Sequence, residues 1–390
     1  MLDGGWENYA AVFVGAALLS LVLTPLALRV ALRLRVMDEP AEHKGHASPV
    51  PYLGGLAIVL AFATAVLAAA AIERPDGVLG ELGVVLAIAV ALSSVGLIDD
   101  LRGLSPWLRL ALEIAAGVGV WMAGAGVEFL DADAASAVVT VLWVVGITNA
   151  FNLLDNMDGL SAGVAAIAAG SFFAIAAAND QFFVASLALA LAGCAAGFLR
   201  HNFHPARIYM GDAGSLFLGF MVAYLGLKLR YNFVAVQDVT FLVPGIVLGV
   251  AMLDTSLVTV ERLRHGRSPF QGGLDHVSHR LVFMGIPVRA AVGLIYAAAI
   301  GLGVVAFVVS RSDRLSAYLL AGLVGLAGLF VAGLLARVPV YRGRQAWDEV
   351  DASRAAELMD AIRFEEEAGR PLPNRQARLG SLFTVPPGGE

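Results

Sequence analysis

The chain has 390 residues, of which 58% are hydrophobic and only 15% are charged, and its mean hydropathy is +0.77. This composition excludes an ordinary soluble domain, and apolar runs long enough to cross a bilayer predict a polytopic, all-α integral membrane protein. The net charge of −6 decides little, because the position of charges matters more than their sum in a membrane protein, and the single cysteine, Cys194, excludes a disulfide framework or a cysteine zinc site.

The apolar runs predict about eleven transmembrane helices. In chain order they cover residues 9–32, 53–72, 82–98, 107–123, 137–153, 160–178, 182–199, 215–229, 241–260, 288–309 and 315–336. The first run is long and no basic segment precedes it, so we expect an anchor rather than a cleaved signal peptide. Residues 1–336 therefore form a transmembrane domain, and residues 337–390 form a polar tail that we expect to be partly helical or disordered.

The distribution of Lys and Arg indicates the orientation of these helices. The loops after the first, third, seventh and ninth runs are basic, whereas the opposite loops are poorer in positive charge, with exceptions at Arg230, Arg311 and Arg314. The basic residues in or beside the first group of loops are Arg33, Arg35, Lys44, Arg102, Arg200, Arg207, Arg262, Arg264, Arg267, Arg280 and Arg289. The positive-inside rule therefore predicts that these loops and the C-terminal tail are cytoplasmic and that the N-terminus is outside.

Four polar clusters lie at the ends of apolar runs. They are Asp99 with Asp100; Asn152 with Asp155 and Asp158; Asn202 with Gly211 and Asp212; and His276 with His279 and Arg280. Charged side chains are costly near hydrocarbon, so acids beside membrane spans usually have a function. The positive-inside rule, which counts only Lys and Arg, predicts that all four clusters lie on the cytoplasmic side. This agreement predicts one site at the membrane surface.

The acidic clusters also have plainer interpretations. The adjacent carboxylates of Asp99 and Asp100 suit a divalent cation or phosphate transfer, but they also fit a solvated helix end. The polar residues of 152–158 share one side of a helical turn or tight loop, which fits a site or a simple connection. The small residues around Asp212 allow a phosphate to approach a helix N-terminus, and Asp212 can equally act as a helix cap.

The loop after the ninth run is basic and contains histidine. The arginines of 262–267 could clamp phosphates or hold the loop at anionic headgroups. His276 and His279 could bind zinc, but the nearby aspartates favour a hard cation such as magnesium. Asp254, inside the ninth run, favours a different class, a cation-coupled transporter, although transporters usually place such acids near the bilayer midplane. A non-catalytic scaffold has no use for so many aspartates on one face.

In these blocks the sequence resembles the polyprenyl-phosphate N-acetylhexosamine-1-phosphate transferases, the MraY/WecA group. The matching blocks occur in the order 43–55 (HKGHASPVPYLGG), 96–100 (GLIDD), 149–160 (NAFNLLDNMDGL), 210–215 (MGDAGS), 266–270 (GRSPF) and 275–281 (DHVSHRL). The outer spans match in topology only. The order of the blocks and their shared face carry the resemblance, because no single block is decisive.

The resemblance implies a magnesium-dependent phosphoglycosyl transferase of a bacterial plasma membrane, with its active site on the cytoplasmic face. A polyprenyl phosphate would attack the sugar-linked phosphate of a UDP-sugar and release UMP, starting the synthesis of a cell-envelope glycan. The loop of 265–280 resembles the UDP-N-acetylglucosamine branch, and UDP-MurNAc-pentapeptide or another UDP-N-acetylhexosamine are the alternatives. The implied partners are the UDP-sugar, the lipid phosphate and the membrane, without nucleic acid, and a homodimer is left open.

The resemblance also implies roles for individual residues. Asp99 and Asp100 are the implied catalytic pair, and Asp212 is the implied ligand of Mg²⁺, for which Mn²⁺ can substitute. The implied substrate-binding residues are Lys44, Asn152, Asp155, Asp158, Asn202, Arg267, His276, His279 and Arg280.

The sequence departs from the family pattern at several positions. Ser278 stands where relatives often carry a third histidine, and Asn156 replaces a common glycine. Arg109 and Glu113 stand where Lys and Gln are frequent. Arg109 keeps the positive charge but brings a planar guanidinium in place of a compact ammonium group. None of these changes removes an implied metal ligand.

Overall fold

The computed structural model describes residues 5–38, 49–73, 79–127, 132–230 and 241–340. In this part of the chain the helices are α1 (Trp6–Leu34), α2 (Gly54–Glu73), α3 (Leu79–Arg102), α4 (Pro106–Met122), α5 (Asp133–Leu154), α6 (Leu160–Ala177), α7 (Phe182–Asn202), α8 (Gly211–Lys228), α9 (Leu242–Val247), α10 (Gly249–Arg264), α11 (Val277–Phe283), α12 (Val288–Val309) and α13 (Arg314–Leu335). Two short antiparallel strands, β1 (Met37–Asp38) and β2 (Val50–Pro51), pair between α1 and α2.

The predicted all-α polytopic membrane fold is confirmed. Among the described residues, eight helices are long and apolar enough to cross a membrane: α1, α2, α3, α5, α6, α7, α12 and α13. Helix α4 has 17 residues, and α8 has 18 but carries a charge near each end. The ninth predicted span is divided into α9 and α10 at Leu248. The count of eleven and the orientation of the termini stay predictions. Lys44 and all but the first four residues of the predicted tail lie outside the described residues.

Helix α8 lies at the centre of the bundle. Its residues 213–226 are all buried, because the helix is apolar on every side and is enclosed by neighbouring helices. By contrast, α1 and α13 present large apolar side chains at the surface, as the 64% exposure of Leu323 illustrates. Such an exposed apolar surface is expected for helices that face lipid.

The N-terminus of α8 is clamped between α2 and α3. A Cβ atom at Gly96 in α3 would overlap the backbone of Asp212, and a Cβ atom at Gly55 in α2 would overlap that of Gly214. Gly55 N also donates a hydrogen bond to the carbonyl oxygen of Met210 at 2.9 Å. Small residues allow this close backbone approach between membrane helices. The three helices consequently bring the Asp99–Asp100 pair beside Asp212.

We predict that Gly96→Ala lowers stability and displaces the Asp99–Asp100 pair from Asp212. Forcing a methyl group into a packed contact costs about 1–3 kcal/mol. Gly83→Ala, on the same helix, is the matched control because no atom lies within 4 Å of its added Cβ. Thermal unfolding of both variants in detergent checks the prediction, which fails if the two midpoints shift equally.

Candidate active site

Arg109 occupies the centre of the acidic cluster. One guanidinium nitrogen, Nη1, lies 2.9 Å from Asp212 Oδ2 and 3.2 Å from Asp99 Oδ2, and the other, Nη2, donates to Asn152 Oδ1 at 3.1 Å. Each of these side chains comes from a different helix: α4, α8, α3 and α5. A single cation therefore neutralises two carboxylates that would otherwise repel each other.

Asn152 completes the polar end of α8. Its Nδ2 donates to Asp212 Oδ1 at 2.8 Å and lies 2.9 Å from Ser215 Oγ. Asp212 is consequently held on both carboxylate oxygens, by Arg109 on one side and by Asn152 on the other. The predicted meeting of Asp99, Asn152 and Asp212 in one cluster is realised in the structure.

Asp100 is directed to the backbone of α8. Its Oδ1 accepts from the amide of Asp212 at 3.1 Å, and its Oδ2 accepts from the amide of Ala213 at 3.3 Å. Asp100 thereby binds the N-terminus of α8, where unpaired N–H groups carry partial positive charge. Gly211 has a φ of +66°, and any Cβ there would crowd the Asp100 carboxylate. Asp99 and Asp100 are thus adjacent in sequence but differ in their partners.

Glu113 supports Arg109 from one turn further along α4. Its carboxylate is 1% exposed, lies 3.5 Å from Arg109 Nε and accepts a hydrogen bond from Asn149 Nδ2. Sequence reasoning noted Arg109 and Glu113 only as departures from a family pattern and did not include them in the site. The four-residue spacing of Arg109 and Glu113 predicts an ion pair on one helix face, and this pattern could have identified them from the sequence.

Asp155 and Asp158, two further predicted site residues, lie in the turn after α5. Burial raises the pKa of Asp155 well above its usual range, and the charges of Asp212 and Asp100 raise it further. Asp158 Oδ2 contacts His204 Nδ1 at 2.8 Å and accepts from the Ala206 amide at 2.9 Å. This group therefore adjoins the acidic cluster through Asp155 and is tied to the α7–α8 loop through Asp158.

Asn202, at the end of α7, also holds the turn between α5 and α6. It is 2% exposed, accepts from the Gly159 amide at 3.1 Å and donates to the Ile208 carbonyl at 3.0 Å. Both ends of its amide are used within the protein. Its predicted contact with a nucleotide stays a prediction, and its structural role is to shape the turn.

The histidine loop is held by two buried acid–base pairs. His276 Nδ1 lies 2.7 Å from Asp254 Oδ2, and Asp254 Oδ1 accepts from the Val277 amide at 2.6 Å. Arg262 makes a bidentate contact with Asp275, at 2.9 Å from Nε and 2.7 Å from Nη2. Asp254 therefore orients a histidine, which removes the observation that favoured a transporter. Arg262 is 1% exposed and is engaged in structure rather than with headgroups.

The remaining predicted residues occupy different positions in this loop. Arg280 is fully buried and donates to the carbonyl oxygens of Asp275 and Leu335, both at 2.8 Å, so it fastens α11 to the end of α13. Arg267 lies in the partly exposed segment after α10. The ring of His279 lies 5.9 Å from that of His276. Substrate contacts by these three residues stay predictions.

Comparison with known proteins identifies the family. The profile of glycosyl transferase family 4 matches residues 82–230. A probable undecaprenyl-phosphate N-acetylglucosaminyl 1-phosphate transferase of Bacillus subtilis is 30% identical over 305 residues, which is 76% of this chain and 83% of the relative. The chain belongs to the polyprenyl-phosphate N-acetylhexosamine-1-phosphate transferase family. It is therefore a multi-pass membrane protein of the phosphoglycosyl transferase class.

Two further relatives show the range of donors within this family. A decaprenyl-phosphate N-acetylglucosaminephosphotransferase of Mycobacterium leprae is 33% identical over 370 residues, covering 87% of this chain and 92% of the relative. A phospho-N-acetylmuramoyl-pentapeptide-transferase of Heliobacterium modesticaldum is 35% identical over 237 residues, covering 56% of this chain and 74% of the relative. The greater coverage by the former supports the N-acetylglucosamine branch that the sequence predicts.

The donor chemistry of the acidic cluster fits a magnesium ion. Asp99, Asn152 and Asp212 direct three oxygen atoms to one guanidinium, and oxygen ligands are those that Mg²⁺ prefers. In the described part of the chain, no three His, Cys, Asp or Glu side chains form a ready-made metal centre. In proteins Mg²⁺ often takes only one or two carboxylates and completes its shell with water and substrate phosphates. Asp212 and Asp99 are the fitting ligands, and Arg109 fills the position between them.

His279 makes stability depend on pH. Burial, together with the neighbouring His276, lowers the pKa of His279 to about 4, and its Nδ1 has no hydrogen-bond partner among the described residues. The unfolded chain takes up this proton near the ordinary pKa of about 6.5. We therefore predict that the contribution of neutral His279 to stability is lost as the pH falls from about 6.5 to about 4.

The measurement is the thermal midpoint of unfolding in detergent across this pH range. His279→Gln should flatten the curve by a few degrees relative to wild type, whereas His265→Gln, at an exposed position, should leave its shape unchanged. Identical curves for wild type and His279→Gln would contradict the prediction.

Proposed function

We propose that this protein transfers N-acetylglucosamine-1-phosphate from UDP-N-acetylglucosamine to a polyprenyl phosphate, undecaprenyl or decaprenyl, and releases UMP. The observation that carries the proposal is the cluster in which Arg109 joins Asp99, Asn152 and Asp212 at the ends of four helices of a family 4 transferase. Such a position suits a reaction between a water-soluble donor and a membrane lipid. The product is the first lipid-linked sugar of a cell-envelope glycan.

The reaction exchanges one phosphorus–oxygen bond for another. An oxygen of the lipid phosphate attacks the phosphorus that carries the sugar, and the bond from that phosphorus to the bridging oxygen of UMP breaks. The electron pair leaves with UMP, and a polyprenyl-diphosphate sugar remains in the membrane. The lipid phosphate is already ionised at neutral pH, so little base catalysis is needed. Positioning and charge neutralisation then supply most of the acceleration.

An apolar cavity next to Arg109 suits the first isoprene units of the lipid. It has a volume of about 240 Å³ and is lined by Pro106, Arg109, Leu110, Val145, Gly146, Asn149, Thr255 and Phe270. The ring of Phe270 lies 5.8 Å from that of Trp107 at an interplanar angle of 59°, so the loop after α10 contacts α4 beside the cavity. A lipid lying here would bring its phosphate to Arg109, whose side chain is 20% exposed.

The residues of the cluster divide the remaining tasks. Asp212 and Asp99 would hold Mg²⁺, or Mn²⁺ in its place, and Arg109 would neutralise charge beside it. When bound, the ion neutralises the diphosphate and stabilises departing UMP. Asp99 acts through its contact with Arg109, whereas Asp100 acts by fixing the N-terminus of α8. Asp155, which adjoins the cluster, contacts the nucleotide.

The donor, the compartment and the oligomeric state complete the proposal. In this proposal Arg267, His276 and His279, from the loop of 265–280, bind the donor sugar and phosphates together with Lys44, which lies outside the described residues. The basic loops support a site on the cytoplasmic face of a bacterial inner membrane, where UDP-sugars are made. A homodimer stays open.

The donor prediction is tested with purified protein, undecaprenyl phosphate and Mg²⁺. We expect UDP-N-acetylglucosamine to release UMP and to form a lipid-linked N-acetylglucosamine. UDP-MurNAc-pentapeptide and UDP-N-acetylgalactosamine are the comparison donors. Faster release with either of them would overturn the donor assignment and leave the reaction class in place. Solute uptake by sealed vesicles without release of UMP would instead favour a transporter.

The metal prediction is tested with Asp212→Asn, which keeps the size of the side chain but removes its charge. We expect kcat to fall on the order of 100-fold or more, because charge neutralisation at the transferring phosphate is lost. The concentration of Mg²⁺ for half-maximal activity should rise as well. Asp133→Asn is the matched control, because Asp133 is exposed at the opposite end of α5 from Asn152. Wild-type activity in Asp212→Asn would contradict the assignment of Asp212 as a ligand of Mg²⁺.

A further inference from the structure

A second cavity lies at the end of α7 and in the loop that follows it, and it shares no lining residue with the acidic cluster. Its volume is about 310 Å³, and it is lined by Arg200, His201, Phe203, His204, Pro205 and Arg207. This volume falls at the lower end of the range for ligand sites, which is about 300–1,000 Å³. The lining combines two arginines and two histidines with one aromatic ring, which is a composition suited to an anionic ligand.

In the part of the chain that the structure describes, the two arginines of this cavity, Arg200 and Arg207, have no acidic partner, and both are exposed. A third guanidinium comes from Arg289, at the start of α12, whose Nε donates to the His204 carbonyl at 3.1 Å. The acid that contacts this loop is Asp158, through His204. Cations without partners attract phosphate, which arginine binds in a bidentate manner.

The cavity lies at the level expected for lipid headgroups. Arg200 is in the last turn of α7, Arg289 is in the first turn of α12, and both helices are long and apolar enough to span a membrane. Phe203 is 39% exposed at the rim of the cavity. Aromatic and basic side chains together at a helix end are typical of the membrane–water interface.

We propose that this cavity binds the phosphate of an anionic phospholipid headgroup from the surrounding bilayer. Arg200 and Arg207 grip the phosphate, Arg289 adds positive charge from α12, and Phe203 contacts the upper acyl chain. The ligand comes from the bilayer rather than from solution, because an exposed aromatic ring accompanies the arginines at the end of two spanning helices.

An occupied cavity also restrains the turn beside the acidic cluster. Asp158 holds His204 and the Ala206 amide, and Asn202 joins Gly159 to Ile208. The cavity wall and the turn that carries Asp155 are therefore one connected unit. Binding of a headgroup should raise the stability of this unit, because a ligand that binds only the folded state stabilises that state.

The test compares two double variants that remove the same charge from the same end of the bundle. Arg200→Gln with Arg207→Gln removes the proposed site, and Arg29→Gln with Arg33→Gln removes two exposed arginines of α1. The detergent-purified proteins are titrated with phosphatidylglycerol, with phosphatidylcholine and with inorganic phosphate. The thermal midpoint of unfolding and the lipid retained in native mass spectra are measured.

We expect phosphatidylglycerol to raise the midpoint of wild type and of the α1 variant, and phosphatidylcholine and inorganic phosphate to have no effect. The cavity variant should bind phosphatidylglycerol roughly 30-fold more weakly, as expected from the loss of two interfacial arginines. An equal loss in both double variants would show diffuse attraction to the surface and overturn the proposal. An equal response to inorganic phosphate would assign a soluble anion, and no response in wild type would also overturn it.

If the cavity variant is destabilised before lipid is added, Arg200→Lys with Arg207→Lys takes its place. This pair keeps the charge but loses the bidentate geometry of the guanidinium. Weaker binding of phosphatidylglycerol by the lysine pair, with wild-type stability in the absence of lipid, supports the proposal. Wild-type affinity in the lysine pair contradicts a bidentate phosphate contact.

Discussion

The contact of Arg109 with Asp99, Asn152 and Asp212 is the interaction on which the site depends. It joins side chains from four helices, and it holds two carboxylates on one cation where they would otherwise repel each other. Because a guanidinium presents several N–H groups in one plane, it can satisfy three oxygen partners at the same time. A lysine, which is common here in the family that the sequence resembles, would offer a single point charge instead.

This contact is possible only because the helix ends are held at short distances from one another. Gly96 allows α3 to touch the backbone of α8, and Gly55 does the same for α2. The Asp100 carboxylate then accepts hydrogen bonds from the backbone amides of Asp212 and Ala213. The small residues set the separation of the helices, and this separation allows the hydrogen bonds at the N-terminus of α8 and the ion pairs of Arg109 to form.

The polar groups outside the central cluster are mostly paired, and this pairing decides between their functions. Asp254 could have been a lone membrane acid, but it orients His276. Arg262 could have faced lipid, but it is fixed on Asp275. Buried charges are retained where a partner and hydrogen bonds offset the cost of removing them from water. Arg200 and Arg207 lack such partners among the described residues, which is why they, rather than the arginines of α10, indicate an external ligand.

The sequence by itself determined the class of the protein, the approximate limits of most helices and the family, because apolar length and ordered motif blocks are local properties. It also predicted that Asp99, Asn152 and Asp212 meet, since charge topology alone brings them to one face. Only the tertiary structure decided the place of Arg109, the division of the ninth run into α9 and α10, and the different partners of Asp99 and Asp100. These depend on distances between residues far apart in the chain, such as the 103 positions that separate Arg109 from Asp212. Helix packing sets such distances, and no local pattern of residues encodes them.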